Sequence, residues 1–205
     1  MRIDLQRERR DLYRPGTADF TEVVVPPTTY LAVDGHGDPN SSAEYAAAVS
    51  ALHTGGYGVR AAVKARTGSD FVVGPLSGLW SAEDPTAFAT GTKGDWDWTM
   101  LIPLPDLVAE PDIESGLATA ARKKPELPLD RVRPLSLDEG RCLQIMHVGS
   151  YDDEAPTLAR LHEEVMPDRG LTWNGRHHEI YLGDHRRVAP EARRTVLRQP
   201  VRPVD

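Results

Sequence analysis

Only one cysteine, Cys142, occurs in the chain, so no internal disulfide can form. The apolar, strand-like run around it reads as the setting of a buried small hydrophobe, not of a nucleophile. Long apolar stretches are also missing. No window of about 20 such residues is present, which excludes a membrane-spanning helix. Positive charge is in deficit, 24 Lys and Arg against 31 Asp and Glu, giving a net charge of −7. Nor is there a basic run flanked by aromatics, and a nucleic-acid partner is disfavoured because phosphate binding needs a concentrated cationic face. The opening stretch Met1 to Arg10 lacks the apolar core of a signal peptide, so a reducing, cytoplasmic setting is expected.

Common catalytic motifs are scarce as well. No serine sits in a Gly-x-Ser-x-Gly elbow, and Gly35-His36-Gly37 is too short to cradle a phosphate. His177 and His178 are adjacent and would point to opposite faces of a strand. With His147 and His36 as further candidates they form no recognised metal spacing. Neither a metal nor an organic cofactor is expected.

What is present is the composition of a folded domain. The 205 residues, 40% apolar and 27% charged, suffice for a sizeable core in one large domain or in two halves sharing an interface. Residues 1–27 read as a lead-in arm that ends at Pro26-Pro27. Thr28 to Gly37 reads as a strand entering a glycine turn. Asp38 to Ser42 supplies helix-start signals, and Tyr45, Val49 and Leu52 recur at helical spacing. Gly55, Gly56 and Gly58 are expected to interrupt or end that helix. Phe71 to Trp80 is strand-like but glycine-rich, and Asp95 to Pro103 is a second strand that puts Trp96, Trp98 and Met100 on one face. Pro111 to Lys124 is a helix with acids first and bases last, as the macrodipole prefers. After a proline-marked crossing the order returns. Arg141 to Glu154 is strand, glycine turn and acidic helix start, and the next helix carries Leu158, Leu161, Val165 and Met166 on its buried side. Pro190 to Pro200 resembles a short helix closed by proline. The chain therefore reads as an α+β fold with an internal duplication of strand-helix-strand-strand units in residues 28–205. Repeat one covers about 28–124 and repeat two about 135–205. The two are expected to be related by pseudo-twofold symmetry, with antiparallel sheets, helices on one face and a ligand cleft between the halves.

The stretch that organises the site is Arg176 to Asp184. With a period of two, Ile180 and Leu182 share one face, which asks for a covering helix. His177, Glu179 and Tyr181 share the other, where an acid beside a phenol suits the floor of a pocket. The plain alternative is that Glu179 is a wet outer-face residue. Trp80, Trp96, Trp98 and Met100 from the first half are candidate flat walls for a planar aromatic ligand, the alternative being that they fill a core. Tyr151, His147 and His177 join them from the second half, His177 at the rim and His178 as a partly buried packing residue.

His178-Glu179-Ile180-Tyr181-Leu182-Gly183-Asp184, Arg186 to Glu191 and the ending Leu197 to Val201 together resemble the C-terminal signature of the GyrI-like small-molecule-binding family, and His147 to Tyr151 resembles its second repeat. The likeness covers roughly residues 20–201. It implies two repeated strand-helix-strand-strand units around a pseudo-twofold cleft. The family occurs as effector-binding parts of multidrug-responsive activators and as stand-alone proteins, and residues before 28 leave no room for a helix-turn-helix, so the stand-alone branch is the expectation. An acid matching Glu179 engages cationic aromatic ligands in the drug-sensing relatives, whereas a stand-alone subset is associated with hydrolysis of cyclopropane-bearing, DNA-alkylating toxins. The glycines at 55, 56 and 58 depart from the uninterrupted helix expected there.

Chemistry supports the same residues. Opening a cyclopropane conjugated to a dienone needs a delivered water and stabilisation of charge forming on oxygen. A carboxylate among aromatics is a fit general base, a role given to Glu179, with Tyr181 as the donor that stabilises the oxyanion or orients the water. Two other readings stay open: a non-catalytic binder that sequesters planar or cationic aromatics, and a gyrase-modulating protein marked by an exposed patch in place of a pocket.

Overall fold

The structure, a computed structural model, describes residues 2–82, 93–184 and 187–204. In chain order its elements are β1 (Arg2–Ile3), α1 (Leu5–Glu8), α2 (Arg10–Tyr13), β2 (Thr21–Val25), β3 (Thr28–His36), α3 (Ala43–Thr67), β4 (Asp70–Phe71), β5 (Ser77–Ala82), β6 (Trp96–Pro103), α4 (Glu110–Lys123), β7 (Arg133–Leu137), β8 (Gly140–Val148), α5 (Ala155–Arg160), a π-helical turn (Leu161–Val165), α6 (Met166–Asp168), β9 (Leu171–Trp173), β10 (His177–Tyr181) and β11 (Arg194–Pro203). The contacts divide into two units, Met1–Glu8 with Thr28–Leu137, and Arg9–Pro27 with Asp138–Asp205. Among the described residues no helix is long and apolar enough to cross a membrane.

In the first unit the antiparallel order is β5-β6-β3-β7. Helix α3 begins where the Ser42 hydroxyl accepts the Tyr45 N–H at 3.2 Å, and it ends at Gly68, whose φ of 70° provides the left-handed cap. The interruption expected at Gly55, Gly56 and Gly58 does not occur, because α3 runs through all three. Gly55 and Gly58 face α4, whereas Gly56 faces Val73 and Ile102. A Cβ on Gly116 would lie 2.5 Å from the Val59 nitrogen, and one on Gly58 would collide with the Gly116 carbonyl. Close helix–helix approach therefore outweighs the roughly 1 kcal/mol that each helical glycine costs. The single strand expected over Phe71 to Trp80 is two short ones, β4 and β5, separated at Gly74-Pro75, where Gly74 packs against the Pro103 ring.

The second unit has the order β2-β8-β11-β10, with β9 paired to the far end of β11. Its strand-helix-strand-strand sequence (β8, α5 to α6, β10, β11) and the sheet order of those strands repeat β3, α3, β5 and β6 of the first unit. The helix expected over Pro190 to Pro200 is instead a one-turn 3-10 segment, Pro190–Ala192, followed by β11, which hydrogen-bonds to both β8 and β10. Both faces of β11 are covered, so its buried run lacks the alternation by which a half-exposed strand is recognised.

Residues 9–27 are built into this unit rather than trailing as an arm. β2 pairs with β8 and Leu12, Tyr13 and Phe20 are buried. The covering helix also lies on the face opposite to that expected. Leu161 and Met166 from the helical segment pack on Leu143, Ile145 and Leu197, and Leu197 is the register partner of Glu179. The helical segment thus covers the Glu179 face. The Ile180 face carries His178, Arg198 and Gln144, and there the Arg198 guanidinium and the Gln144 amide donate to the carbonyls of Leu12 (2.8 Å) and Asp11 (2.6 Å). A polar network capped by backbone carbonyls needs no apolar helix over it.

Candidate functional site

Three rows of side chains cross the second sheet on the helix-covered face: His147–Thr195–Tyr181, Ile145–Leu197–Glu179, and Leu143–Gln199 with His177 next along β10. At the first row the chain leaves β8 through Gly149, whose φ of 151° and whose space, filled by His147 Nε2 at 3.0 Å from an ideal Cβ, both require glycine. His147 Nε2 lies 3.0 Å from the Ser150 carbonyl and pins the turn that brings Tyr151 back towards the sheet. Tyr151 meets Tyr181 edge to face, with centroids 5.5 Å apart, and its ring also lies under the Arg193 guanidinium at 5.2 Å. Burial, more than the surrounding charges, pushes the Tyr151 hydroxyl up to about 12, so it stays a protonated donor.

Tyr181 donates to Glu179 Oε2 at 2.8 Å, and the Glu179 side chain is 15% exposed. The wet outer-face alternative for Glu179 is therefore ruled out. His177 Nε2 stands 3.9 Å from Glu179 Oε1. Burial, then the neighbouring His162, holds His177 down at about 3, so its imidazole is neutral. Glu179, Tyr181, Tyr151 and His147 are thus gathered at one end of the sheet, with His177 on the inner side of the carboxylate. A recess of about 170 Å³ opens beside them, lined by Tyr151, Leu182, Gly183, Val188 and Arg193, and shares only Tyr151 with this group. It is below the size of a drug-sized site.

The tryptophans form their own cluster in the first unit. Trp80 and Trp98 are register partners, and Trp80 meets Trp96 edge to face at 5.5 Å. Trp98 (1% exposed) and Met100 (0%) are enclosed, so neither offers the flat wall expected of it. The cause is Gly35, opposite Trp98 on β3, whose missing side chain leaves the space the indole fills while Tyr45 of α3 packs edge-on against it. Trp80 is nearly buried and Trp96 is half-buried.

A second group went unread in the sequence. On the opposite face, His178 Nδ1 lies 2.9 Å from Glu139 Oε1, and Arg198 Nη1 lies 3.4 Å from Glu139 Oε2, all three at most 3% exposed. Burial pushes the Glu139 carboxyl up, but the His178 and Arg198 charges and hydrogen bonds outweigh it and hold Glu139 at about 2. His178 is thus fully buried and polar-paired, more than a partly buried packing residue. Cys142 is buried too, its thiol pushed up to about 12 mainly by burial, as befits an inert side chain. Among the described residues no three His, Cys, Asp or Glu side chains cluster as a metal site.

This fold is shared with known proteins. A crystal structure of an uncharacterized conserved protein from Listeria innocua is 37% identical, with a TM-score of 0.88, covering 98% of this chain and 100% of that one. Two structures of hydrolases from the same organism, one encoded by lin2189, are each 34% identical, with TM-scores of 0.83 and 0.86 over the same shares of both chains. The C-terminal domain of EcmrR, at 11% identity and a TM-score of 0.58, covering 91% of this chain and 98% of that one, shares the fold. No curated protein sequence matches. The chain belongs to the GyrI-like small molecule binding domain family, which matches residues 18–202.

Proposed function

We propose that the protein binds a planar aromatic molecule beside Tyr151 and Tyr181 and hydrolyses it with Glu179 as general base, the substrate class being cyclopropane-bearing alkylating compounds. The observation that carries this reading is the Tyr181–Glu179 hydrogen bond, which fixes a largely buried carboxylate among phenol rings. The hydrolase names of the 34% identical relatives point the same way.

In the reaction Glu179 takes a proton from water as the water oxygen bonds to the cyclopropane methylene. The strained C–C bond breaks, and its electron pair moves through the dienone to the carbonyl oxygen, leaving a phenolate that takes the proton back from Glu179. Substrate plus one water is the whole balance. Tyr181 is spent on Glu179, so its role is to orient the carboxylate, while the neutral Tyr151 hydroxyl is the better placed donor for an oxyanion.

The test is turnover of a cyclopropane-bearing alkylating compound, read by mass spectrometry as a product heavier by one water. Glu179→Gln is expected to lower the rate by about 10²- to 10⁴-fold, the usual contribution of a general base. Wild-type protein that binds the compound and returns it unchanged defeats the hydrolytic reading. Glu179 is then the counter-charge of a sequestering site, a role that its place among phenol rings also suits.

A further inference from the structure

Beneath the π-helical turn lies a group of polar atoms with nothing to bond to. Both ring nitrogens of His177, Nε2 of His162 and Oε1 of Gln199 are buried without a hydrogen-bond partner. They belong together. Gln199 follows the register of β11 to sit opposite His177, and His162 is near enough to disfavour charge on His177. Gln199 gives its amide hydrogens to the carbonyls of Gly175 (2.9 Å) and Pro200 (3.0 Å), which fixes its orientation and turns the oxygen towards His177, where it favours a proton on the imidazole without closing a well-formed hydrogen bond. Bulk solvent does not reach any of these atoms in the closed arrangement. Leaving four such atoms unbonded makes that arrangement costly.

The cover over them is built to yield. Where α3 is one helix of 25 residues with seven of them buried, residues 155–168 are split into α5, the π turn and α6, with only Leu161 and Met166 buried. Pro167 contributes no N–H to the ladder, and the π turn widens it around His162. Trp173 packs against His162, its ring 4.2 Å away and the residue 47% exposed.

We propose that residues 155–168 form a movable cover over a hydrogen-bonding subsite made by His162, His177 and Gln199, which takes a neutral amide or hydroxyl group of a ligand. The chemistry selects that class. Gln199 Oε1 asks for a donor, each neutral imidazole offers one N–H and one lone pair, and a group that both donates and accepts answers them together. A carboxylate is disfavoured by Gln199 Oε1 and by Glu179, 3.9 Å from His177. The subsite adjoins Glu179 but requires binding alone, so it does not rest on the hydrolytic reading.

Benzamide is the probe, with benzoate and toluene as controls. Amide hydrogen exchange and the imidazole resonances of His162 and His177 are followed by NMR in the full chain at neutral pH. Without ligand, amides of Leu161 to Met166 are expected to exchange at least tenfold faster than those of Leu52 to Val63. Benzamide is expected to slow them at least threefold and to shift both imidazoles, and benzoate and toluene to do neither. His177→Phe should abolish the response and His177→Gln, which keeps a donor and an acceptor, should retain it. Glu179→Gln should also retain it, which separates this subsite from catalysis. Imidazoles unmoved by benzamide, a response equal to that of toluene, or one that survives His177→Phe overturns the proposal.

Discussion

Tyr181 donates its hydroxyl hydrogen to Glu179 Oε2 at 2.8 Å, the two side chains lying two residues apart on one face of β10. A glutamate on a short strand has three side-chain torsions free to turn its carboxylate away from a substrate, and this bond restricts that freedom. Tyr181→Phe is expected to lower turnover by roughly 10- to 100-fold, the worth of one hydrogen bond to a charged group. The melting temperature should stay within a few degrees of wild type. Unchanged kcat and KM in the variant would show that Glu179 is oriented by something else.

Gly116→Ala sets helix propensity against packing. In an exposed helix the change is favourable by about 1 kcal/mol. Here the new methyl would stand 2.5 Å from the Val59 nitrogen and 2.6 Å from its Cα, backbone atoms that cannot rotate away. Overpacking of this kind costs about 1–3 kcal/mol, so a net loss is expected in urea unfolding. A gain in midpoint would mean that α3 and α4 separate easily.

Behind the candidate site, Glu139 is the shared acceptor for His178 and Arg198. Glu139→Ala leaves a guanidinium buried with its carboxylate gone, and breaking one member of such a group costs about 3–5 kcal/mol. Denaturant unfolding should report a loss of that order. Glu139→Gln keeps the acceptor oxygen and is expected to fall between the two. Equal stability of all three proteins would place the weight of the network on Arg198 and the Leu12 carbonyl.

Much of the site was legible because period-two alternation put Glu179 and Tyr181 on one face, and because a strand ending in Gly149 demanded the turn that carries Tyr151. Local pattern could not say which face the helix covers. Ile180 looked like the core side, yet the opposite face is apolar through Leu197 and Ile145 from neighbouring strands, and pairing between distant segments is what decides. The expectation of a helix over Pro190 to Pro200 hid a further clue. As a strand, this segment places Arg198 on the same side as Val196, a charge on a covered face that calls for a partner such as Glu139. Trp98 was misjudged for a similar reason, since the vacancy it fills belongs to Gly35 on another strand. The glycines of α3 were visible, but the purpose of Gly55 and Gly58 lies in α4.

Acid should unfold this protein from an unusually high pH, and His177 is the reason. Its folded value is held at about 3, chiefly by burial, against an ordinary 6.5, so between those values the unfolded chain binds a proton that the folded protein refuses. Stability present above about 6.5 is therefore lost progressively as pH falls towards 3. His162, also lowered by burial, acts in the same sense. Glu139 adds a later loss, between its ordinary 4.5 and about 2, as its protonation breaks the pairing with His178 and Arg198. Melting temperature measured from pH 7.5 to 4 should fall steeply in wild type, whereas His177→Phe should flatten the portion between about 6.5 and 4.5 and leave the later, carboxylate-driven loss in place. A variant that keeps the full slope above pH 5 would assign that loss to other groups, His162 first among them.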